Sequence, residues 1–202
     1  MRGAAAHEPS FWTVESFRAF YETRPDEERW ELIDGVAIMM MTPTIAHQRL
    51  ASNLQWLLNE ASRTHDPTRF AFQRIGVDLL PEVQAHHPEP DVAVMDAAIE
   101  PGQRYTERFY LTGEIMSESD HKRLPQRSRT RVEAKREVYR RQPDSSCIVL
   151  ISQDEILVQL DLRLAAGWRT LTLRESDEPF LLADFGLSCT VRDLYAGTPL
   201  LT

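Results

Sequence analysis

The chain has 202 residues, of which 31 are Asp or Glu and 23 are Lys or Arg, so its formal net charge is −8. Its hydrophobic fraction of 42% and charged fraction of 27% are close to globular averages, which excludes a disordered or fibrous chain. At about 150 residues per domain, the length predicts a single domain over residues 11–202, preceded by a flexible tail at 1–10.

The apolar runs and the cysteines of the chain indicate the cellular compartment of the protein. The longest clean apolar run, Val36 to Met41, is far shorter than the roughly 20 residues that span a bilayer. The first ten residues do not show the apolar core of a secretory signal. Two cysteines, Cys147 and Cys189, are too few for a disulfide scaffold or a zinc cluster. These observations predict a cytoplasmic protein in a reducing compartment, without contact to a membrane.

Two helices and a hairpin are predicted in the first third of the chain. Apolar residues at helical spacing predict a short helix that begins at Thr13 or Ser16. The Asp34-Gly35 pair between two apolar runs predicts a tight β-hairpin. A longer helix is predicted from about residue 44 to residue 63, because its apolar residues form one stripe.

The rest of the chain is predicted to be mainly strand. The predicted strands lie at 69–80, 91–95 and 108–116 and, after a charged helix at 131–142, within 147–152, 155–162, 168–173 and 180–187. A sheet with one helix before it and one helix within it predicts an α/β fold, at the border of α+β, with a β-rich C-terminal part.

Two carboxylates stand near the ends of predicted apolar strands. Asp91 opens one strand directly after Pro90, and Glu114 lies near the end of the next. Carboxylates at the ends of neighbouring strands can converge on one divalent cation, and Mg²⁺ is commonly held by one or two carboxylates with water and phosphate. The alternative is an aspartate that caps a turn and a glutamate that is merely exposed.

Three further ionisable residues lie on faces that are predicted to pack inward. Lys135 shares a helix face with Tyr139, so its ammonium either reaches out to solvent at the rim of the core or meets an anion such as a phosphate. His47 falls within the apolar stripe of its helix, where a hydrogen-bonded core histidine is the common alternative to a functional one. Glu31 points to the same side as Ile33, either as an inward carboxylate or as an edge residue.

A zinc interpretation also exists for the run from His86 to Asp91, which contains two histidines and two carboxylates. Its ligands are crowded onto a segment broken by proline, and no matching distal pair of ligands follows. This interpretation is therefore the weaker one.

The chain resembles the Uma-two family of restriction-endonuclease-like proteins, within the PD-(D/E)XK nuclease superfamily. The segments that carry the resemblance, in order and spacing, are WELIDGVAIMMMTPTIAHQRLASNLQWLL, EPDVAVMD, GEIMSES and KREVYRRQ. The likeness extends from about residue 28 to residue 196. It implies a mixed sheet flanked by helices, with a metal site at its edge. On this basis Asp91 matches the PD aspartate, and Glu114 matches the acidic residue of the next core strand.

The resemblance also implies roles for three other residues. The superfamily's lysine normally lies two residues after the second acid, where this chain has Met116. The family's lysine lies on the following helix instead, and Lys135 matches it. Glu31 and His47 match residues that support the metal or its water. The chain departs from the family in lacking a Ser-Pro pair after the acidic strand, and in having Arg131 where an aspartate is common.

These observations predict a Mg²⁺- or Mn²⁺-dependent endonuclease that hydrolyses DNA, with Asp91 and Glu114 as metal ligands and Lys135, Glu31 and His47 completing the catalytic site. The first alternative is a catalytically inactive nuclease-fold module that binds or regulates. The second is a structural oligomer subunit, and a homodimer built through edge strands is compatible with every one of these functions.

The distribution of charge bears on the predicted DNA partner. The segment from Lys122 to Arg141 contains nine Lys or Arg and two Glu, so it carries +7 while the rest of the chain carries −15. A run of this kind is commonly a solvated helix face. Because it follows Glu114 and contains Lys135, we expect DNA to bind along it in a salt-sensitive manner.

Overall fold

The computed structural model describes residues 11–25, 27–79, 85–125 and 127–201, so the predicted tail at 1–10 lies outside it. The helices of this part are α1 (Val14–Tyr21), α2 (Ile45–His65), α3 (Arg131–Arg141) and α4 (Val191–Leu194). The strands are β1 (Trp30–Ile33), β2 (Val36–Met39), β3 (Arg69–Gln73), β4 (Gly76–Val77), β5 (Val92–Asp96), β6 (Tyr105–Thr106), β7 (Leu111–Met116), β8 (Cys147–Ser152), β9 (Val158–Leu164), β10 (Gly167–Leu173), β11 (Pro179–Leu182) and β12 (Leu187–Thr190).

Within these residues the central sheet is mixed and has the strand order β10-β9-β8-β7-β5-β3. Strands β7 and β8 run parallel, and every other neighbouring pair in this sheet is antiparallel. The remaining strands form the separate pairs β1–β2, β4–β6 and β11–β12. Helix α3 makes the crossover between the two parallel strands, as a parallel connection requires. The predicted mixed sheet with flanking helices and a β-rich C-terminal part is thus confirmed.

The hairpin β1–β2 has the turn that its sequence predicts. Asp34 and Gly35 have φ angles of 53° and 77°. Two positive φ angles in a two-residue loop are typical of a type I′ turn, whose twist matches that of the flanking strands. The second strand ends at Met39, two residues before the end of the apolar run at Met41.

Helix α2 packs against the central sheet through its apolar stripe. Thr44 caps the helix by accepting a hydrogen bond from the His47 N–H. Leu54 and Leu58 are fully buried in the main core. Leu54 lies over Gly113 of β7, where an added Cβ would come within 2.5 Å of the leucine side chain. The missing side chain therefore lets the helix approach the sheet closely.

The two faces of the sheet bury different clusters, because alternate residues of a strand point to opposite sides. On strand β8, Val149 and Ile151 belong to the core under α2, whereas Ile148 and Leu150 belong to a second cluster. This second cluster includes Tyr139 of α3. Helices α2 and α3 thus cover opposite faces of the sheet.

The prediction of one unbroken strand over 69–80 is wrong, because this part of the chain forms two separate strands. The chain forms β3, then breaks at Arg74, and pairs again only at β4. Arg74 has a φ of 55°, which is uncommon for a residue with a side chain and turns the strand. The alternation of apolar residues continues across this break, so the periodicity alone could not detect it.

No helix in the described ranges combines the length and the apolar character that crossing a membrane requires. Both cysteines are free thiols, Cys147 buried in the core and Cys189 half-buried. Burial raises the pKa of the Cys189 thiol to about 11, so at neutral pH it stays protonated and weakly nucleophilic.

The two adjacent histidines of the predicted zinc run are buried behind the hairpin. The Nδ1 atom of His86 accepts a hydrogen bond from the Asp34 N–H at 3.2 Å, which requires a neutral ring. The His87 ring packs between Phe17 and Tyr105, with centroid distances of 5.8 and 4.9 Å. No side-chain hydrogen bond to the ring nitrogens of His87 exists among the described residues. This packing argues against the zinc interpretation.

We expect His87 to destabilise the fold in acid. Burial, assisted by the charge of Arg18, lowers the pKa of His87 from 6.5 to about 4. Between these values the unfolded chain binds a proton that the folded chain does not, so stability falls as the pH drops from 6.5 to 4, by at most about 3 kcal/mol. Urea unfolding at pH 7 and pH 5 should show a smaller acid loss for His87→Asn than for the wild type. Equal losses would contradict this assignment.

Candidate active site

The ends of three strands and the buried face of a helix meet at the floor of an open cleft of about 950 Å³. Val92 of β5 pairs with Gly113 of β7, so Asp91 and Glu114 are neighbours at the same edge of the sheet. The N–H of Ile115 donates a hydrogen bond to Asp91 Oδ2 at 2.8 Å, which fixes the aspartate beside Glu114. The carboxylates that the sequence predicted to converge therefore lie together.

Lys135 joins two carboxylates that are far apart in the sequence. Its Nζ atom lies 3.0 Å from Glu31 Oε1 and 2.6 Å from Glu114 Oε2. The side chain is only 3% exposed, so the lysine meets anions inside the protein rather than reaching out to solvent. Burial alone would disfavour the charged ammonium, but the two carboxylates outweigh this and raise the pKa of Lys135.

Glu31 is the most deeply buried carboxylate of the cluster, with no exposed surface. Oε1 also accepts the N–H of Glu89 at 2.9 Å, and Oε2 accepts Nη2 of Arg131 at 3.0 Å. Burial alone would raise the pKa of Glu31, but the charges of Lys135 and Arg131 and the Glu89 N–H hold it below its usual value. Of the two alternatives that the sequence left open, Glu31 is thus the inward, ionised one.

Glu114 is held on both of its oxygens. The hydroxyl of Tyr139 donates to Oε1 at 2.7 Å, and Lys135 holds Oε2. Burial raises the pKa of Glu114 to about 8, the Lys135 ammonium opposes this rise, and the carboxylates of Asp91 and Glu31 add to it. Burial, together with the neighbouring negative charges, therefore makes Glu114 the carboxylate of the cluster that protonates most readily.

His47 contacts the cluster through Asp91. Its Nε2 atom lies 3.3 Å from Asp91 Oδ2, while its buried Nδ1 atom has no hydrogen-bond partner among the described residues. Burial alone would raise the pKa of Asp91, but the hydrogen bond and charge of His47, the charge of Lys135 and the Ile115 N–H lower it. All five residues singled out in the sequence are therefore brought into one cluster.

The donor set fits a hard divalent cation better than zinc. Asp91 and Glu114 supply carboxylate oxygens at the cleft, which is the number of protein ligands that Mg²⁺ commonly uses alongside water and phosphate. In the part of the chain that the structure describes, no group of three or more His, Cys, Asp or Glu side chains is arranged to hold a metal. A closed structural zinc site, which needs four ligands, is thus unsupported there.

Two residues of the cluster were not predicted as site residues. Arg131 and Tyr139 lie one turn before and one turn after Lys135 on α3, and all three are buried. The polar ends of this i−4, i, i+4 row face Glu31 and Glu114. The signal was present in the sequence, because a charged residue and a tyrosine flank the lysine on the face that packs inward.

The basic segment from Lys122 to Arg141 is largely neutralised within the protein. Eight of its nine cations lie within 4.0 Å of a carboxylate of the described residues; these carboxylates are Glu31, Asp34, Glu114, Glu118, Asp120, Glu137 and Asp161. Arg123 is the exception. The surface of this segment is therefore less positive than its charge of +7 implies, and its predicted binding to DNA stays a prediction.

Comparison with known proteins identifies a matching family and a solved structure with a similar fold. The family model described as Uma2, putative restriction endonuclease, matches residues 14–192. A crystal structure of a putative nuclease belonging to DUF820 from Anabaena variabilis is 20% identical to this chain, with a TM-score of 0.69. The match covers 92% of this chain and 98% of the other. At this identity the likeness is one of fold alone. No curated protein matches the chain.

Proposed function

Because the chain belongs to the Uma2 family, described as putative restriction endonuclease, we propose that it hydrolyses DNA phosphodiester bonds with a divalent cation held by Asp91 and Glu114. Mg²⁺ is the proposed cation, with Mn²⁺ as the alternative. When bound, such a cation activates water at neutral pH and neutralises charge on the phosphate. The cytoplasmic location and the homodimer remain predictions from the sequence.

The residues around the two carboxylates would orient the reacting groups. The Lys135 ammonium, already at the floor of the cleft, is positioned to donate hydrogen bonds to an attacking water or to a phosphate oxygen that gains charge in the transition state. Tyr139 and the Ile115 N–H hold Glu114 and Asp91 in place. Glu31 keeps Lys135 charged, and His47 contacts the same Oδ2 atom of Asp91 that the Ile115 N–H holds.

The observation that carries this proposal is the burial of Lys135 between two carboxylates at the floor of an open cleft. Buried charged networks are costly to build, and perturbed ionisable residues within a cleft are typical of functional sites. A structural ion pair would not require a third carboxylate, Asp91, to reach the cleft beside it.

Metal removal tests the proposal directly. We expect the purified protein to nick supercoiled plasmid DNA in Mg²⁺ or Mn²⁺, and to lose this activity when EDTA is added, because phosphate charge is then no longer neutralised. Agarose gels of a time course measure the conversion of supercoiled to open-circular plasmid. Restoring the metal should restore nicking. A rate that does not change with EDTA would contradict the metal dependence.

The alternative of an inactive binding module draws on one specific observation. Lys135 pairs with both Glu31 and Glu114, and Arg131 adds a second cation on Glu31, so these two carboxylates have cationic partners without a metal. Calorimetric titration with Mg²⁺ and Mn²⁺, in the presence and absence of DNA, separates the two functions. Absence of metal binding in both cases would favour the inactive module.

A further inference from the structure

One wall of the cleft is apolar and exposed. The run from Val36 to Thr44 lines this wall and contains no charged residue. Within it the side chains of Met39 and Met41 are 52% and 80% exposed. Large apolar side chains that are exposed beside a functional cleft mark a surface for a ligand with apolar faces.

This apolar wall is adjacent to the carboxylate cluster. Ile38 of β2 pairs with Glu31 of β1, and the Met40 sulfur lies 2.8 Å from the Arg131 guanidinium. Met39 and Met41 flank Met40 in the chain, and all three line the same cleft as Asp91 and Glu114. They therefore form a rim beside the proposed reaction centre.

Among the described residues, two arginines that line the cleft lack the carboxylate partner that its other cationic side chains have. Arg74 and Arg123 line the cleft, and neither lies within 4.0 Å of a carboxylate in the described ranges. Arg74 directly follows Gln73, the last residue of β3, which pairs with Val92, and Val92 directly follows Asp91. Its φ of 55° is a strained conformation for arginine, of the kind that persists at functional sites.

We propose that the cleft takes a nucleic-acid strand with unpaired bases, its phosphates on Arg74 and Arg123 and its bases against the rim of Met39 and Met41. This inference rests on the proposed function and specifies its substrate class as single-stranded or splayed DNA. In an intact duplex the bases are stacked, so apolar side chains contact their faces only where the stack is opened. Proteins that bind single strands combine a positively charged groove with side chains that stack on the bases, and methionine is among the apolar side chains that contact unstacked bases.

Binding measured without a metal tests the proposal independently of cleavage. In EDTA, fluorescence anisotropy with a labelled single-stranded oligonucleotide and with its duplex should show at least about tenfold tighter binding of the single strand, the size of roughly one base contact. The double variant Met39→Ser/Met41→Ser should remove most of this preference. Ile99→Ser is the matched control, because Ile99 is 60% exposed but does not line the cleft.

The phosphate contact is tested through the salt dependence. Arg74→Gly should lower the slope of log affinity against log salt concentration by about 0.7 for the single strand. Glycine adopts a positive φ without steric cost, so the melting temperature should be unchanged or higher. Arg63→Ala is the matched control, since Arg63 is 74% exposed and paired with Glu60 outside the cleft.

Three results would overturn the inference: equal binding of single strand and duplex, no binding of either, or a methionine variant that retains the preference. Light scattering measures the oligomeric state and so tests whether a second copy of this chain, instead of nucleic acid, binds the rim. A change of oligomeric state in the double methionine variant would assign the rim to a second copy of this chain instead. Failure of the proposed function gives a different result from failure of this inference. A protein that prefers single strands in EDTA but cuts no DNA in Mg²⁺ or Mn²⁺ would contradict the proposed cleavage and still support the substrate class.

Discussion

Replacing Asp91 with asparagine is expected to slow the cleavage of DNA by at least about a thousandfold, which corresponds to about 4 kcal/mol of lost transition-state stabilisation. The asparagine keeps the size of the side chain and can still accept the Ile115 N–H, but it removes the negative charge that would hold the cation. The measurement is the single-turnover rate of nicking of supercoiled plasmid in Mg²⁺, together with the thermal unfolding midpoint of the variant.

The matched control is Asp144→Asn, which makes the same chemical change at an exposed aspartate paired with Arg108, away from the cleft. It should retain the wild-type rate. Asp91→Asn with the wild-type rate would show that Asp91 is no metal ligand. A variant that unfolds would be replaced by Asp91→Ser, with the same expected loss.

Lys135→Met is expected to destabilise the protein by about 3–5 kcal/mol at pH 7, the usual effect of removing one partner from a buried ion pair. Methionine fills a similar volume, so the effect comes mainly from the charges left behind. Glu31 and Glu114 would remain buried without the cation that joins them. Equilibrium unfolding in urea measures the loss, and the same variant should also lose nicking activity.

Two further variants test whether the loss of folding stability in Lys135→Met comes from the buried charges left behind. The double variant Glu114→Gln/Lys135→Met should recover part of the stability, because it removes the buried carboxylate whose ion pair was with Lys135. Lys122→Met changes an exposed lysine of the same basic segment and should alter the stability by less than about 1 kcal/mol. If Lys135→Met cost no more than Lys122→Met, the buried network would contribute little to folding.

Local patterns predicted most of the elements correctly, because their causes are local. The Asp34-Gly35 pair determines its turn by backbone conformation alone, and the Thr44 cap begins helix α2 one residue away from where its sequence predicts. The convergence of Asp91 and Glu114 was also predictable, since both stand at the ends of apolar strands.

Long-range pairing was beyond the reach of sequence patterns. Lys135 joins Glu31 across 104 residues of chain, and no spacing rule connects a hairpin strand to a helix so far away. The exposed positive charge of the basic segment was overestimated for the same reason, because Asp34 and Asp161 lie outside it in the sequence. In the fold they pair with four of its arginines. The family resemblance supplied Glu31 and His47 as site residues where the patterns left alternatives open.

The bridge that Lys135 makes between Glu31 and Glu114 has a consequence for the order of events in the cell. In many small metalloproteins the metal ion gathers the ligands, so folding waits for the metal. Here the Lys135 ammonium, which the sequence itself encodes, pairs with Glu31 and Glu114, so we expect these two carboxylates to take their places without a metal ion. The proposed divalent cation would then bind carboxylates that are already in place, so its supply would change the activity more than the stability of the fold.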